Sequence, residues 1–492
     1  MARISTDIPA RLDRLPWARW HWLVLIGLGT VWVLDGLEVT IVGVIGPRIT
    51  DPRSGLGLTD SQVGVAAGVY VAGACVGALF FGHLTDRFGR KRLFLVTLVL
   101  YLVATVATAF STEAWYFYLC RLFTGAGVGG EYAAINSAID ELIPARVRGT
   151  VDLVVNGSFW LGTAIGAAIA IPMLDPGVLA IDVGWRVLFG MGAVLGIGIL
   201  LVRRLVPESP RWLFIHCRER EAEEIVRRIE ERVQEEIGER RLDPPGREIR
   251  ISQRRHTPLT EVAAALLRRY PKRTLVGLAL FIGQAFLYNS IYFTYALVLS
   301  TFFGVPDGGT PWYLVPIAIG NFCGPVLLGR FFDSIGRRVM ISGCYILSGL
   351  LLLGTAALFN GGALSAGTLT VCWMVVFFFA SAGASSAYLT VSEIFPMETR
   401  ALAIALFYAV GTGLGGIIGP ILFGRLVESQ MVGNVVFGYA IGAALMIAAG
   451  LVEWFMGVEA ARRSLEDIAA PLSVQEREPP DHATPPRLPP EA

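Results

Sequence analysis

The chain has 492 residues, of which 54% are hydrophobic and only 16% are charged, and its mean hydropathy is +0.58. A soluble globular protein carries roughly 25% charged residues, so this composition excludes an ordinary water-soluble fold and points to lipid. The formal net charge of +1 carries little information by itself, and we expect no nucleic-acid partner.

Twelve nearly uncharged stretches follow one another along the chain, and most reach the roughly 20 residues that cross a bilayer. In the first half they cover about residues 20–46, 62–81, 93–110, 115–139, 153–174 and 185–206. In the second half they cover about residues 275–303, 312–332, 339–358, 369–391, 401–427 and 435–456. We predict an all-α integral membrane protein with twelve transmembrane helices.

Charged and polar segments divide the chain into four parts. Residues 1–206 are predicted to form an N-terminal six-helix bundle, and residues 272–457 a C-terminal one. Between them, residues 207–271 carry charges at helical spacing, which indicates cytoplasmic linker helices. The proline-rich tail, residues 458–492, is predicted to be cytoplasmic and largely disordered, because it contains too few apolar residues to fold.

Basic residues gather at alternate ends of the predicted spans. Four arginines precede the first span, four basic residues follow the second, and others follow the fourth, eighth, tenth and twelfth. The loops on the other side contain almost no basic residue beyond Arg48 and Arg53. By the positive-inside rule, we expect a multi-pass protein of a bacterial inner membrane with both termini in the cytoplasm.

Two short motifs occur twice at nearly the same spacing. Residues 86–91 (DRFGRK) follow the second span, and residues 333–338 (DSIGRR) follow the eighth. Residues 141–148 (ELIPARVR) follow the fourth span, and residues 393–400 (EIFPMETR) follow the tenth. The offsets are 247 (86 to 333) and 252 (141 to 393), so we predict two pseudo-symmetric six-helix halves.

These motifs resemble those of a known family. Residues 82–91 (GHLTDRFGRK) look like the signature loop of the major facilitator superfamily. Both copies of the Glu-x-x-Pro-x-x-x-Arg motif, together with residues 207–213 (PESPRWL), resemble its sugar-porter-like branch. Residues 459–468 (EAARRSLEDI) resemble the ending of that branch, although Val458 stands where a proline is usual. The resemblance covers nearly the whole chain and implies a transporter.

The repeated loops are suited to an ion-pair gate on the cytoplasmic side. Their charged residues are Asp86, Arg90, Glu141 and Arg148 in the first half, and Asp333, Arg337, Glu393 and Arg400 in the second. As surface pairs, each is expected to contribute only about 0–1 kcal/mol, so such a network can close one conformation without locking it. The alternative interpretation is that these charges only set the topology.

Charges inside the spans indicate a functional site, because each is costly in lipid. Asp35 and Glu38 lie three residues apart in the first span and share roughly one face of the helix. Arg121 lies in the fourth span at about the same expected depth, in the outer half of the membrane. We predict an acid–arginine site. Either it binds and releases a proton, or it is a permanent ion pair that only joins two helices.

The surroundings of these charges resemble particular branches of the superfamily. Arg121 with Gly125 and Gly127 resembles the fourth-helix motif, and paired acids in the first helix resemble aromatic-acid:proton symporters. Residues 129–132 (GGEY) resemble a stretch of bacterial niacin transporters and synaptic-vesicle-type proteins. Glu131 within that stretch is expected to lie in the inner half, where it lines the cavity or bridges to a basic residue.

The seventh span contributes amides. Gln284 and Asn289 match the Gln-x-x-x-x-Asn pattern that sugar porters use for substrate hydroxyls, and Tyr292 and Tyr295 follow. Amides both donate and accept hydrogen bonds, which suits a polyol or a carboxyl group. Hydrogen bonding between helices is the alternative role. Further polar or aromatic candidates for the cavity are Asn156, Trp160, Trp373, Ser381 and Tyr388.

We therefore predict a secondary active transporter that moves a small polar solute together with protons by alternating access. The absence of a Gly-x-x-x-x-Gly-Lys-Ser/Thr loop argues against an ATP-driven pump. No cofactor, metal or enzymatic activity is expected, and the partners are the solute, protons and lipid, with a monomer as the expected state. The alternatives are a facilitative uniporter and a membrane sensor. A sugar or polyol and an aromatic or organic acid both remain open as the solute.

Overall fold

The computed structural model of the protein describes residues 3–203, 207–238, 241–244, 248–252, 259–292, 294–305, 310–470 and 472. The first half contains six long helices, which we number in chain order: Arg19–Thr50, Asp60–Phe88, Arg90–Ala109, Ala114–Leu142, Arg148–Met173 and Ile181–Arg203. The second half contains helices seven to twelve: Pro271–Tyr292, Thr310–Ser334, Arg337–Asn360, Ala366–Ile394, Arg400–Glu428 and Val432–Met456.

The twelve predicted spans are thereby confirmed as twelve long helices. By length and composition alone, ten of them are apolar enough to cross a membrane. The remaining two are the sixth helix and the fourth, which carries four charged residues between 121 and 141. The seventh span differs from the prediction of one continuous helix, because it ends at Tyr292 and a second helix, Tyr295–Phe303, follows it.

The two halves repeat the same packing pattern. In the first half, the first helix packs on the fifth, the second on the fourth, and the third on the sixth. In the second half, the seventh packs on the eleventh, the eighth on the tenth, and the ninth on the twelfth. The halves meet along two equivalent helix pairs, the fifth with the eighth and the second with the eleventh. This pattern matches the internal repeat of the sequence.

Short elements gather at one end of the bundle. They are the helices Ile8–Asp13, Pro210–Ile215, Glu219–Ile237, Leu259–Ala264 and Leu465–Ile468, the π-helical turn Ala265–Arg269, and the antiparallel strands Arg3–Thr6 and Ile249–Ser252. A 3-10 turn, Pro52–Ser54, follows the first long helix. We call the end that carries the short elements and both repeated motifs the terminal end, and the opposite one the far end.

The N-terminal segment packs on the region that joins the two halves. Its strand pairs with Ile249–Ser252, and the Arg11 guanidinium binds the Glu230 carboxylate with two hydrogen bonds of 3.1 and 2.6 Å. Arg14 donates to the same carboxylate at 2.6 Å. Residues 3–14 therefore contact the 207–271 region as well as the first bundle. The tail expected to be disordered lies, from residue 473 onward, outside the described residues.

Candidate functional site

The far-end site joins the first and fourth helices. Arg121 donates to Glu38 through Nη1, with 2.8 Å between Nη1 and Oε1, and both side chains are fully buried. Its Nη2 donates to the hydroxyls of Thr108 at 2.8 Å and Thr124 at 3.2 Å. The guanidinium plane also lies 4.8 Å from the ring centroid of Phe189. Arg121 is thus fixed by one charge, two hydroxyls and an aromatic ring.

Asp35 differs from Glu38 although both lie on the first helix. Its side chain is fully buried, and neither carboxylate oxygen accepts a hydrogen bond within the part of the chain that the structure describes. Of the two predicted acids, Glu38 is therefore the partner of Arg121, and Asp35 lies nearby without an ion pair among the described groups. A buried carboxyl group without partners is far more stable in its neutral form.

Two glycines of the fourth helix place this site against the second helix. A Cβ atom on Gly125 would lie 2.1 Å from the Tyr70 carbonyl oxygen, and one on Gly129 would lie 2.0 Å from that of Ala74. Both distances are too short for any side chain, so the two backbones touch. Glu131 follows directly and is fully buried in the same helix.

Aromatic side chains from both halves meet at the centre of the bundle. Trp32 stacks on Tyr132 with ring centroids 4.6 Å apart, and both belong to the first half. From the second half, Tyr388 lies 6.0 Å from Trp32, and Tyr408 lies 4.9 Å from Tyr132. These four rings bring the two halves into contact at the centre of the bundle.

The seventh helix presents polar groups to the same centre. Trp160 of the fifth helix stacks on Tyr288 at 5.5 Å, and the Tyr288 hydroxyl donates to Asn321 Oδ1 at 2.7 Å. Gln284 is buried, whereas Asn289 is half-buried and donates to the Ala285 carbonyl at 2.6 Å. Both predicted amides thus lie on the seventh helix, and Asn321 of the eighth helix joins this polar group through Tyr288.

The terminal end holds a second set of buried charges. Arg337 binds Glu393 with two hydrogen bonds of 3.0 and 3.1 Å and Asp333 with one of 2.8 Å. Two ion pairs cross between the halves, Arg148 with Glu393 at 3.7 Å and Arg400 with Glu141 at 3.3 Å. Six predicted gate residues therefore lie in one network.

Asp333 also ties the halves together through a helix end. Its carboxylate accepts hydrogen bonds from the backbone N–H groups of Gly149 at 3.1 Å and Thr150 at 2.7 Å. These groups begin the fifth helix, whose own N-cap residue, Val147, supplies no side-chain hydrogen bond. The carboxylate of one half thus caps a helix of the other. The side chains of Asp86 and Arg90, the equivalent gate residues of the first half, lie outside those described.

The expectation of weak surface pairs at this end was wrong. Arg148, Arg337, Arg400, Glu141 and Glu393 are each at most 1% exposed, because the halves and the short helices cover them. Removing one member of a buried pair leaves an uncompensated charge, which costs about 3–5 kcal/mol. The charges of this network are therefore harder to separate than the surface pairs that the sequence suggested.

The sequence interpretation missed several members of this network. Asp140 and Asp152 are fully buried beside it, and Asp13 accepts from Arg148 at 3.3 Å and from Arg211 at 3.2 Å. Arg211 also pairs with Glu466 at 3.2 Å. Asp140 and Asp152 lie one residue outside the predicted spans 115–139 and 153–174, so the sequence carried no signal that they are buried.

A third repeated feature also escaped notice. Glu208 accepts hydrogen bonds from the Lys91 N–H at 3.2 and 3.3 Å, at the start of the third helix. Glu459 does the same for the Arg337 N–H at 2.9 Å, at the start of the ninth. These two glutamates are 251 positions apart (208 to 459), which matches the offsets of the other motifs.

Comparison with known proteins identifies the family. Residues 40–471 match the sugar (and other) transporter family. The chain belongs to this family. The niacin transporter NiaP of Acinetobacter baylyi is 26% identical over 466 residues, which cover 94% of this transporter and 99% of the relative. The 4-hydroxybenzoate transporter PcaK of the same species is 26% identical over 453 residues, with 90% and 94% covered.

The fold of this transporter matches a solved structure of the same superfamily. The proton:xylose symporter XylE, bound to 6-bromo-6-deoxy-D-glucose, superposes with a TM-score of 0.76 at 19% identity, covering 92% of this chain and 98% of that one. The prediction of a twelve-helix transporter in two pseudo-symmetric halves is thereby confirmed. In this transporter, two buried charged sites lie on either side of a central aromatic cluster.

Proposed function

We propose that this protein is a proton-coupled symporter of a small polar organic solute, in which Asp35 carries the transported proton. One observation carries the proposal: two fully buried carboxyl groups lie near one guanidinium, and among the described carboxyl groups it pairs only with Glu38. Burial favours the neutral form of the unpaired acid, whereas exposure to water favours its charged form. Opening the site to one side or the other would therefore load or unload a proton at Asp35.

Glu38 and Arg121 have a different role in this proposal. Their ion pair and the two threonine hydroxyls hold the first and fourth helices in one arrangement around Asp35. A solute that enters the centre would shift this arrangement, because the Trp32–Tyr132 stack lies only three residues from Asp35 along the first helix. The solute and the proton would then be coupled because both sites depend on the same arrangement of the first and fourth helices, without direct contact between them.

The centre suits a ring-shaped solute that carries no net charge or arrives with a proton. Aromatic faces from Trp160 and Tyr288 can stack on a sugar or aromatic ring, and the Gln284 and Asn289 amides can bind hydroxyl or carboxyl groups. The nearby guanidinium, Arg121, is already paired with Glu38. The names of the relatives, which include niacin, 4-hydroxybenzoate and xylose transporters, support this class of solute.

The orientation completes the proposal. The terminal end carries the basic loops, so it faces the cytoplasm, and the buried network closes that side in the conformation described here. A reporter that is active only outside the cytoplasm should be silent when fused after Val458 and active when fused near Gly361. The reverse pattern would contradict the orientation.

Uptake into proteoliposomes tests the function. Purified protein should accumulate a solute from a panel of sugars, polyols and aromatic acids when the outside is made acidic, and uptake should acidify the lumen. Liposomes without protein, and the same vesicles with a proton ionophore, are the controls. Uptake that equilibrates but never concentrates the solute, with no acidification, would indicate a uniporter. Solute binding without any uptake would indicate a sensor.

A further inference from the structure

The buried network at the terminal end holds more acids than arginines. Among the described residues, its core contains five carboxyl groups and four guanidinium groups that are at most 5% exposed: Asp140, Glu141, Asp152, Asp333, Glu393, Arg148, Arg211, Arg337 and Arg400. Arg211 also pairs with Asp13 and Glu466, so the network would carry excess negative charge if every acid were ionised. Such an excess is costly away from water, so at least one carboxyl group should hold a proton.

Asp152 is the acid without an ion pair in this group. Glu141, Asp333 and Glu393 each pair with an arginine at 3.3 Å or less, and Asp140 lies 4.0 Å from Arg148 Nε. For Asp152, by contrast, the described residues provide neither an arginine within ion-pair distance nor a hydrogen-bond donor to either carboxylate oxygen.

The side chain one turn after Asp152 has an oxygen that can still accept a hydrogen bond. Asn156 lies one helical turn after Asp152 on the fifth helix, so the two side chains share one face of that helix. Both of its N–H groups are committed, one to Asn136 Oδ1 at 3.0 Å and one to the Asp152 backbone carbonyl at 2.9 Å. Its own oxygen is buried and accepts no hydrogen bond among the described groups. A protonated Asp152 would donate to this oxygen and satisfy both groups together.

Charged groups from several helices face Asp152. Asp140 comes from the fourth helix, Glu393 from the tenth, and Arg337 from the start of the ninth. Asp333 of the eighth helix caps the fifth helix one turn earlier, and Arg148 begins that helix. On the first helix, His21 lies at the same end and interacts with Arg146. Asp140 and Glu393 both oppose a negative charge on Asp152.

We propose that Asp152 is a second proton-binding site, which holds its proton while the terminal end is closed and exchanges it with the cytoplasm when that end opens. This inference rests on the alternating access and orientation of the proposed function, but not on Asp35. Opening separates the fifth helix from the eighth and tenth and lets water reach Asp152. The proton leaves and returns on the same side, so it is not transported. It makes the conformational equilibrium depend on cytoplasmic pH.

The direction of this dependence follows from linkage. The closed state binds the proton and the open state releases it, so a higher cytoplasmic pH favours opening and a lower pH favours closure. One released proton changes the ratio of open to closed molecules by up to about tenfold per pH unit.

Infrared spectroscopy of the protein in lipid nanodiscs tests the proton directly. The wild type should show a C=O stretching band of a protonated carboxyl group that is missing in Asp152→Asn, an isosteric variant whose amide can still donate to Asn156. In Asn156→Ala the band should move to higher frequency, because the acid loses its acceptor. Identical spectra for the wild type and both variants in this region would overturn the proposal. The Asn156 variant keeps the test valid even if Asp152→Asn does not fold.

A distance measurement tests the switch. In a background without native cysteines, spin labels at Arg87 and Ile335, which are exposed at the terminal end of the two halves, report opening. The labelled protein should open as pH rises, and Asp152→Asn should stay mostly closed with a much flatter pH response. Asp35→Asn should still open as the pH rises, although without the contribution of the transported proton, which separates the switch from that proton. A full pH response in Asp152→Asn, or its loss in Asp35→Asn, would refute the assignment to Asp152.

Discussion

The terminal end and the centre of this transporter differ in symmetry. At the terminal end, each half contributes an acid–arginine motif after its second and fourth helices and a glutamate that caps its third, and the copies lie at equivalent places. From the centre to the far-end site, the first and fourth helices carry Asp35, Glu38, Arg121 and Glu131, whereas their counterparts, the seventh and tenth, carry amides and hydroxyls there.

This difference separates two tasks. Closing one side of the bundle needs the same interaction on both halves, because the two halves move relative to each other about a shared interface. Binding a proton and a solute at one centre needs unlike groups, and a duplicated acid would add a second uncompensated charge. Symmetric residues should therefore control which side is open, and asymmetric residues should control what is bound.

The largest expected effect concerns the asymmetric site. We expect Asp35→Asn to abolish proton-driven accumulation of solute while exchange of solute across the membrane remains measurable, because the variant cannot release a proton. Uptake driven by a pH gradient and counterflow without one measure the two activities. Glu38→Gln is the matched comparison and should impair both, since it removes the partner of Arg121. Two acid variants that both concentrate solute as the wild type does would make these acids structural.

Arg121→Lys tests the geometry of the same site with its charge retained. A lysine cannot bind Glu38 and two threonine hydroxyls at once, because its ammonium group is not a planar fork. Hydrogen bonds to charged groups are worth about 1.5–3 kcal/mol, so we expect at least about a tenfold loss of transport rate. Thermal unfolding should show whether the variant is still folded. Transport at the wild-type rate would mean that only the charge matters.

Symmetric residues should behave differently. Asp333→Ala removes the cap on the fifth helix and the buried partner of Arg337, so we expect it to weaken closure of the terminal end by about 3–5 kcal/mol. Uptake should fall several-fold while equilibrium binding of the solute stays nearly unchanged. Asp86→Ala should do the same, because the repeat predicts that Asp86 caps the start of the eleventh helix. A large loss of binding in either variant would break the distinction between closing and binding.

The smallest effect is expected where the N-terminal segment contacts the 207–271 region. Burial acts to raise the pKa of Glu230, but hydrogen bonds from Arg11 and Arg14 outweigh it and lower that pKa. A lowered pKa stabilises the contact above the ordinary glutamate range, and this contribution is lost as the pH falls through the folded-state pKa. The protection of the amides of residues 8–13, corrected for the intrinsic pH dependence of hydrogen exchange, should therefore fall once the pH drops below the ordinary glutamate range.

Two substitutions sharpen this last test. Arg11→Ala should accelerate the same exchange at neutral pH, because it removes both hydrogen bonds to Glu230. Arg227→Ala is the control, since its pair with Glu231 at 3.7 Å lies on the exposed face of the same helix. Equal effects of the two substitutions would show that the Glu230 contact contributes nothing.

Much of the fold could be predicted from the sequence, because every segment that crosses lipid must be a long apolar stretch. Long apolar stretches predict helices, and the two motif pairs, starting at 86 and 141, predict their arrangement in halves. The interruption after Tyr292 was not predicted, because both sides of it are apolar and no proline or glycine marks it. The pattern of polar and apolar residues therefore does not mark the end of the helix at this position.

The candidate sites were predictable in composition but not in pairing. The rise per residue predicts that Asp35, Glu38 and Arg121 lie at about the same depth in the membrane. One turn of the first helix, however, decides which acid contacts the guanidinium. The full extent of the terminal network was not predicted, because Asp13, Arg211 and Glu466 belong to polar segments whose sequence indicates exposure to solvent. Only tertiary packing shows that they cover the interface and bury its charges.

The glycine contacts between the second and fourth helices restrict how a half can deform. With the backbones touching at Gly125 and Gly129, neither helix can slide or rotate past the other without a collision of carbonyl groups. Each half should thus move as a rigid body. Any change of shape must then occur where the halves meet, between the fifth and eighth helices and between the second and eleventh helices. A methyl group at either glycine would push the second and fourth helices apart, so the loss of packing should extend through the whole half rather than stay local.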